Sequence, residues 1–118
     1  MVQVAAYCRV STDKEDQANS FEAQQRYFRE YIQRQPDWEL QGIYADEGIS
    51  GTSTRKRVEF NKMLHAAELG QIDLIVTKEV SRFTRNTVDA LQVTRRLREQ
   101  GVGVIFLSDG IDTRDNDG

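Results

Sequence analysis

The sequence predicts an α/β fold, a mainly parallel sheet of four to five strands with helices on both faces. Two patterns and their order lead there. Runs of strand length at 2–10, 38–46, 72–78 and 102–108 are apolar or alternate apolar with polar residues. Between them, around 19–34, 60–67 and 86–101, apolar residues recur at helical spacing. Strands that take turns with helices are joined by right-handed crossovers, which makes them parallel.

The first strand, "VQVAAYCRV" (2–10), runs into the polar "STDKEDQAN" (11–19). Asn19 with Glu22 three positions on forms a capping box, and the helical pattern it opens continues to about Arg34 before Pro36 stops it. Phe21, Phe28 and Ile32 mark that helix's inward face. "WELQGIYAD" (38–46) alternates as a second strand, with Trp38, Leu40 and Ile43 apolar. "EGISGTSTRKR" (47–57) is the longest loop candidate, and Phe60, Met63, Leu64 and Ala67 give one face of a short helix closed by Gly70. "IDLIVTK" (72–78) is a third strand. Val88, Leu91 and Leu97 lie at helical spacing before Gly101, and "VGVIFLS" (102–108) is a fourth strand. The acidic "DGIDTRDNDG" (109–118) reads as a frayed, solvated terminus; an EF-hand loop placed there would be cut short.

At 118 residues, 30% charged and 38% hydrophobic, the chain suits one ordinary globular domain, without repeats or a linker. No apolar run approaches the roughly 20 residues that span a bilayer, and the N-terminus lacks a signal-peptide pattern. A cytoplasmic protein is expected. Cys8 and His65 are each the only residue of their type, which leaves neither a disulfide framework nor a zinc cluster. The net charge of −3 argues against a wholly basic nucleic-acid coat, yet Lys and Arg gather at 55–57, 78–85 and 95–98. A phosphate site needs only a few convergent cations.

In an open parallel sheet, ligands sit beyond the carboxyl ends of the strands. Ser11, Asp46, Lys78 and Ser108 fall at those ends, where polar residues often serve only to leave the sheet. Alternation places Tyr7, Arg9 and Ser11 on one side of the first strand and Ala6, Cys8 and Val10 on the other. A guanidinium near the sheet must find an anion. It is either a structural partner such as Asp46 or a ligand oxyanion beside Ser11, and this segment alone slightly favours the former. Gln24 shares the stripe of Phe21 and Phe28; it either bonds a loop backbone or lines a pocket next to Ser11. Arg82 and Arg85 in "SRFTR" follow a strand end that Arg55 could also reach. Such pairs are most often solvated surface. Several arginines around one serine would repel one another unless an anion is present, and phosphate matches the guanidinium fork.

Other chemistries are disfavoured. Ser11 has no G-x-S-x-G elbow and His65 no evident triad partner. The residue six after Cys8 is Lys14, where a cysteine phosphatase needs arginine, so Cys8 reads as core. "GISGTST" lacks the G-K-[ST] ending of a P-loop.

Taken in order, "YCRVSTDKED", "NSFEAQ", "DEGISGTSTRKRVEFNKML", "VTKEVSRFTRNT" and "LSDGIDT" resemble the catalytic domain of serine site-specific recombinases, the resolvase/invertase family. The likeness covers essentially the whole chain, and residues 57–63 look more like the large transposon or phage branch. The resemblance implies that Ser11 attacks a DNA phosphodiester to form a 5′-phosphoserine link, with Arg9, Arg55, Arg82 and Arg85 on the scissile phosphate. Gln24 would contact the same site, Asp46 would orient arginines or handle protons, and Tyr7 is a weaker carry-over. It also implies resealing without ATP, metal or another cofactor. The implied partners are double-stranded DNA and, in a full-length protein, copies of itself, as dimers pairing into a tetramer. The chain would then be a catalytic-domain fragment, without the oligomerisation helix and DNA-reading domains. Two departures stand out: Ser81 replaces the aspartate that small members carry before the S-R-x-x-R arginine, and no lysine obviously replaces theirs after the Arg55 equivalent. The competing reading is a doubly wound module that binds a phosphorylated ligand or partner through the arginines without covalent chemistry. A metal-dependent phosphodiesterase or nuclease is disfavoured by the lack of clustered ligands.

Overall fold

The computed structural model describes residues 2–11, 21–48, 58–78 and 87–114. In chain order the elements are β1 (Val2–Ser11), α1 (Phe21–Gln33), β2 (Trp38–Gly48), α2 (Val58–Glu68), β3 (Leu74–Thr77), α3 (Thr87–Glu99), β4 (Gly103–Phe106) and β5 (Ile111–Asp112). The strands form one five-stranded sheet in the order β2-β1-β3-β4-β5. All neighbours are parallel except the β4–β5 pair, which is antiparallel. This is the α/β architecture expected from the alternating pattern.

Strand alternation divides the core into two layers. On one face Val4, Ala6, Cys8, Leu74, Val76 and Ile105 pack against Phe28 and Ile32 of α1. On the other, Ala5, Tyr7, Ile75, Val104 and Phe106 meet Phe60, Met63, Ala66 and Ala67 of α2 and Leu97 of α3. Burying a side chain the size of Phe28 or Ile32 contributes about 1.5–3 kcal/mol, so each helix is held by a few such contacts. Both α2 and α3 end on a glycine in the left-handed region, Gly70 at φ 80° and Gly101 at φ 84°. There the N–H of Gln71 reaches the Ala66 carbonyl and that of Val102 the Leu97 carbonyl, closing the last turn as a Schellman motif does.

Three departures from the sequence reading have physical causes. The buried face of α3 is Ala90, Thr94 and Leu97 with Val93 beside them, whereas Val88 and Leu91 are 62% and 61% exposed. Two stripes compete on that helix, and the smaller residues allow closer approach to the sheet. The segment expected to fray holds β5: Thr113 donates its N–H to the Val104 carbonyl and accepts from the Val104 N–H, and Arg114 pairs with Asp112 at 2.8 Å. That guanidinium also lies 5.7 Å from the Trp38 ring centroid. Third, β2 runs through Glu47 and Gly48, so the expected loop begins later.

The β1–β2 ladder contains a one-residue slip. Val4 pairs with Leu40, but Ala5 pairs with Gly42, leaving Gln41 as the extra residue. Such an insertion reverses the phase of every side chain beyond it. Trp38 and Leu40 before the slip, and Ile43 and Ala45 after it, therefore all pack on the α1 side. Tyr44 instead packs with Tyr7 on the α2 side, and Asp46, two residues on, shares that face.

Candidate active site

Four parallel strands end along one edge of the sheet, at Ser11, Gly48, Thr77 and Phe106. The strand that ends in Ser11 lies between β2 and β3. The chain moves outward from β1 to β2 and then back past it to β3, which makes β1 the point where the strand order reverses. Crevices at such switch points are the usual ligand sites of open α/β sheets. The segment 49–57, with Arg55, leaves from the end of β2, and 79–86, with Arg82 and Arg85, leaves from beyond β3. Those three arginines lie outside the described residues, as do the side chains of Arg9 and Ser11 and the cap residue Asn19. The backbone register is described: Arg9 is the ladder partner of Asp46, and Ser11 that of Gly48.

Asp46 is 7% exposed and surrounded by donors. Its Oδ2 accepts from the Tyr7 hydroxyl at 2.9 Å and from the Phe60 N–H at 3.1 Å, while Oδ1 accepts the Glu59 N–H at 3.0 Å. The two amides belong to the first turn of α2, where N–H groups have no partner within the helix. The carboxylate thus caps a helix that begins 12 residues further along the chain. A local sequence search for a cap cannot find an acceptor so far away. Tyr7, fully buried, stands edge-on to the Phe60 ring with centroids 5.1 Å apart, which fixes its hydroxyl towards Asp46. Sequence reasoning grouped Tyr7 with Arg9 and Ser11 by alternation but missed its bond to Asp46.

Gln24 is buried at 6% exposure on α1, in the stripe of Phe28 and Ile32. That helix covers the Cys8 face, whereas Tyr7 and Asp46 occupy the opposite face. The described geometry therefore brings Tyr7 and Asp46 together, while the helix that carries Gln24 packs on the other face. Lys78 follows β3, and its carbonyl accepts the Ser108 N–H at 2.7 Å, tying the ends of β3 and β4. Thr77, the ladder partner of Tyr7, is fully buried and its Oγ1 has no hydrogen-bond partner among the described residues. Burial, and secondarily the negative charge of Asp46, pushes the Cys8 thiol up to about 12. A thiol held so firmly in its neutral form is a packing group. Among the described residues, no three His, Cys, Asp or Glu side chains converge as metal ligands would, and no helix is long and apolar enough to cross a membrane.

Residues 4–118 match the family described as the resolvase N-terminal domain. Among curated relatives, the chain is 34% identical over 71 residues to the R46 site-specific recombinase of Escherichia coli, covering 60% of this chain and 35% of that protein. It is 26% identical over 112 residues to the Tn3 transposon resolvase of Escherichia coli, covering 95% of this chain and 54% of the other. The chain thus spans about half or less of the length of these relatives. The crystal structure of a resolvase family site-specific recombinase from Streptococcus pneumoniae superposes with a TM-score of 0.80 at 32% identity, covering 99% of this chain and 79% of that one. With the family match running nearly end to end and the same sheet underneath it, the chain belongs to the resolvase N-terminal domain family, that of the serine recombinase catalytic domains.

Proposed function

We propose that this domain cleaves and rejoins DNA strands in site-specific recombination, with Ser11 as nucleophile. The Ser11 Oγ attacks the scissile phosphorus, the bond from phosphorus to the 3′ oxygen breaks, and the DNA 5′ end is left as a phosphoserine ester. The serine proton passes to a base, and a proton reaches the departing 3′ oxygen. Arg9, Arg55, Arg82 and Arg85 hold the phosphate and neutralise the charge that builds on its oxygens. Gln24 reaches the same site from α1. Resealing is the reverse attack by a 3′ hydroxyl on the phosphoserine. One ester replaces another at each step, so the chemistry needs neither ATP nor a metal ion.

The observation that carries this reading is the strand order. The strand ending in Ser11 lies between β2 and β3, the two strands whose carboxyl ends feed the arginine-bearing segments. The partner is double-stranded DNA, met locally at this edge because the chain's net charge is −3. The domain works within a longer recombinase that acts as dimers pairing into a tetramer, and the spacing in residues 57–63 supports the large branch.

Covalency tests the proposal. The natural-length protein should leave an adduct on DNA carrying its recombination site, and Ser11→Ala should abolish the adduct while retaining DNA binding. An adduct formed by the alanine variant would overturn the nucleophile. A wild-type protein that binds the DNA but never forms an adduct would favour the phosphate-binding module.

A further inference from the structure

Arg114 stands where the chain has turned back along the sheet. β4 runs parallel to β1 and β3, towards the edge at which Ser11 ends. Gly110 then turns the chain at φ 65°, and β5 returns antiparallel, with Asp112 opposite Ile105 and Thr113 bonded to Val104 in both directions. Arg114 thereby arrives beside the start of β4, at the edge opposite Ser11. There its backbone N–H, Nε and Nη2 all donate to the Asp112 carboxylate, at 2.9, 3.1 and 2.8 Å. The guanidinium lies 5.7 Å from the ring centroid of Trp38, the first residue of β2, so one side chain links the two edge strands of the sheet. Its aliphatic stem fills the space over Gly103, where a Cβ would run into Cγ and Cδ of Arg114. Little else holds β5. It is two residues long, and its apolar residue, Ile111, is 44% exposed. A short element with so little apolar burial opens locally without unfolding the rest.

We propose that Arg114 is a latch on β5 and that it sets where the following chain leaves the catalytic fold. Closed, the latch keeps Thr113 on Val104, and the chain departs from the edge opposite Ser11. Open, β5 peels from β4, and the chain departs from the Gly110 turn, at the edge where Ser11 ends. β4 spans 4 residues, which separates the two exits by roughly 10 Å at about 3.3 Å per residue. The side chains of Arg114 and Asp112 are 44% and 31% exposed, which makes their pair weak enough to release. In the function proposed above, on which only this last step rests, the latch orients the remainder of the longer recombinase relative to Ser11.

Hydrogen exchange of the natural-length protein, read by mass spectrometry with fragmentation to single residues, tests the latch. Arg114→Ala should speed exchange of the Thr113 N–H by about tenfold, the scale of one exposed bidentate pair together with one cation–π contact. Amides of β1 and β3 should keep their wild-type protection. Gly103→Ala pushes the stem off its seat while leaving Arg114 in place, and it should open β5 to a similar degree. Unchanged protection of Thr113 in Arg114→Ala would overturn the latch. Faster exchange in β1 and β3 as well would overturn it in favour of general loosening. On DNA carrying the recombination site, Arg114→Ala should form the Ser11 adduct at the wild-type rate and join two sites into recombinants more slowly. Recombination at the wild-type rate with β5 open would sink the claim that the exit orients the rest of the protein. A wild-type protein that forms no adduct would sink the function proposed above and not the latch, which the exchange reads by itself.

Discussion

The buried hydroxyl of Tyr7 donates to Asp46 across 2.9 Å, and the two residues meet because β2 slips by one residue at Gln41. Without the slip, Asp46 would share a face with Trp38 and Leu40 and lie against α1. With it, Asp46 reaches Tyr7 and the first turn of α2. A change of register at one edge strand is thereby converted into the attachment of a helix.

Asp46→Ala should cost about 3 kcal/mol or more, because it strands a buried hydroxyl and two helix N–H groups without an acceptor. Tyr7→Phe removes one donor and leaves a capped helix, so about 1–2 kcal/mol is expected. Urea unfolding of the two variants gives the comparison. Equal losses would mean that the amides of Glu59 and Phe60 do not depend on Asp46.

Deleting Gln41 should be tolerated. It removes the extra residue, so Trp38, Leu40, Ile43 and Ala45 fall in strict alternation and all stay on the α1 side. Circular dichroism and thermal unfolding should show a chain that still folds cooperatively. A deletion variant that has lost cooperative folding would contradict the slip.

Much of the fold was legible because its signals are local. Alternation in 2–10 gave β1 and the correct faces of Tyr7 and Cys8, and the glycines at 70 and 101 marked two helix ends by the left-handed backbone they supply. What failed to show depended on distant partners. β5 is only Ile111–Asp112, too short for a period, and it exists because Thr113 bonds Val104. On α3 the sequence offered two apolar stripes, and only the sheet chose between them. At the site, residue types and their order pointed to Ser11, Arg9 and Asp46, but the capping of α2 by Asp46 had no local pattern. Gln24 sits on the inward stripe as read, yet the face that stripe covers was decided by the path of the chain from β1 into α1.

The Cys8 thiol should resist alkylation in the native protein at pH 8 and react once the chain is unfolded. Its folded value of about 12 lies above the ordinary 9.0, so the unfolded chain gives up the proton first as pH rises. Stability from this group is therefore whole below pH 9.0 and drains towards pH 12, at about 1.4 kcal/mol per pH unit. Cys8→Ala should flatten that part of the alkaline decline, measured by urea unfolding between pH 8 and about 10. An unchanged slope would show that Cys8 titrates normally.

Thr77→Val exchanges a fully buried hydroxyl that has no partner among the described residues for a methyl group of similar size. An unpaired buried hydroxyl carries a desolvation cost of about 1–3 kcal/mol. The valine variant should be at least as stable as the wild type by thermal unfolding. A clear loss of stability would mean that the hydroxyl is bonded in the folded protein.

The central claim is that Ser11 becomes covalently joined to a DNA 5′ phosphate. The most direct measurement is mass spectrometry of the protein after cleavage of site DNA, nuclease trimming and proteolysis. The account predicts a 5′-phosphonucleotide on the peptide that contains Ser11, at Ser11 itself. A nucleotide carried by any other residue, or cleaved DNA with no attached protein, would contradict it.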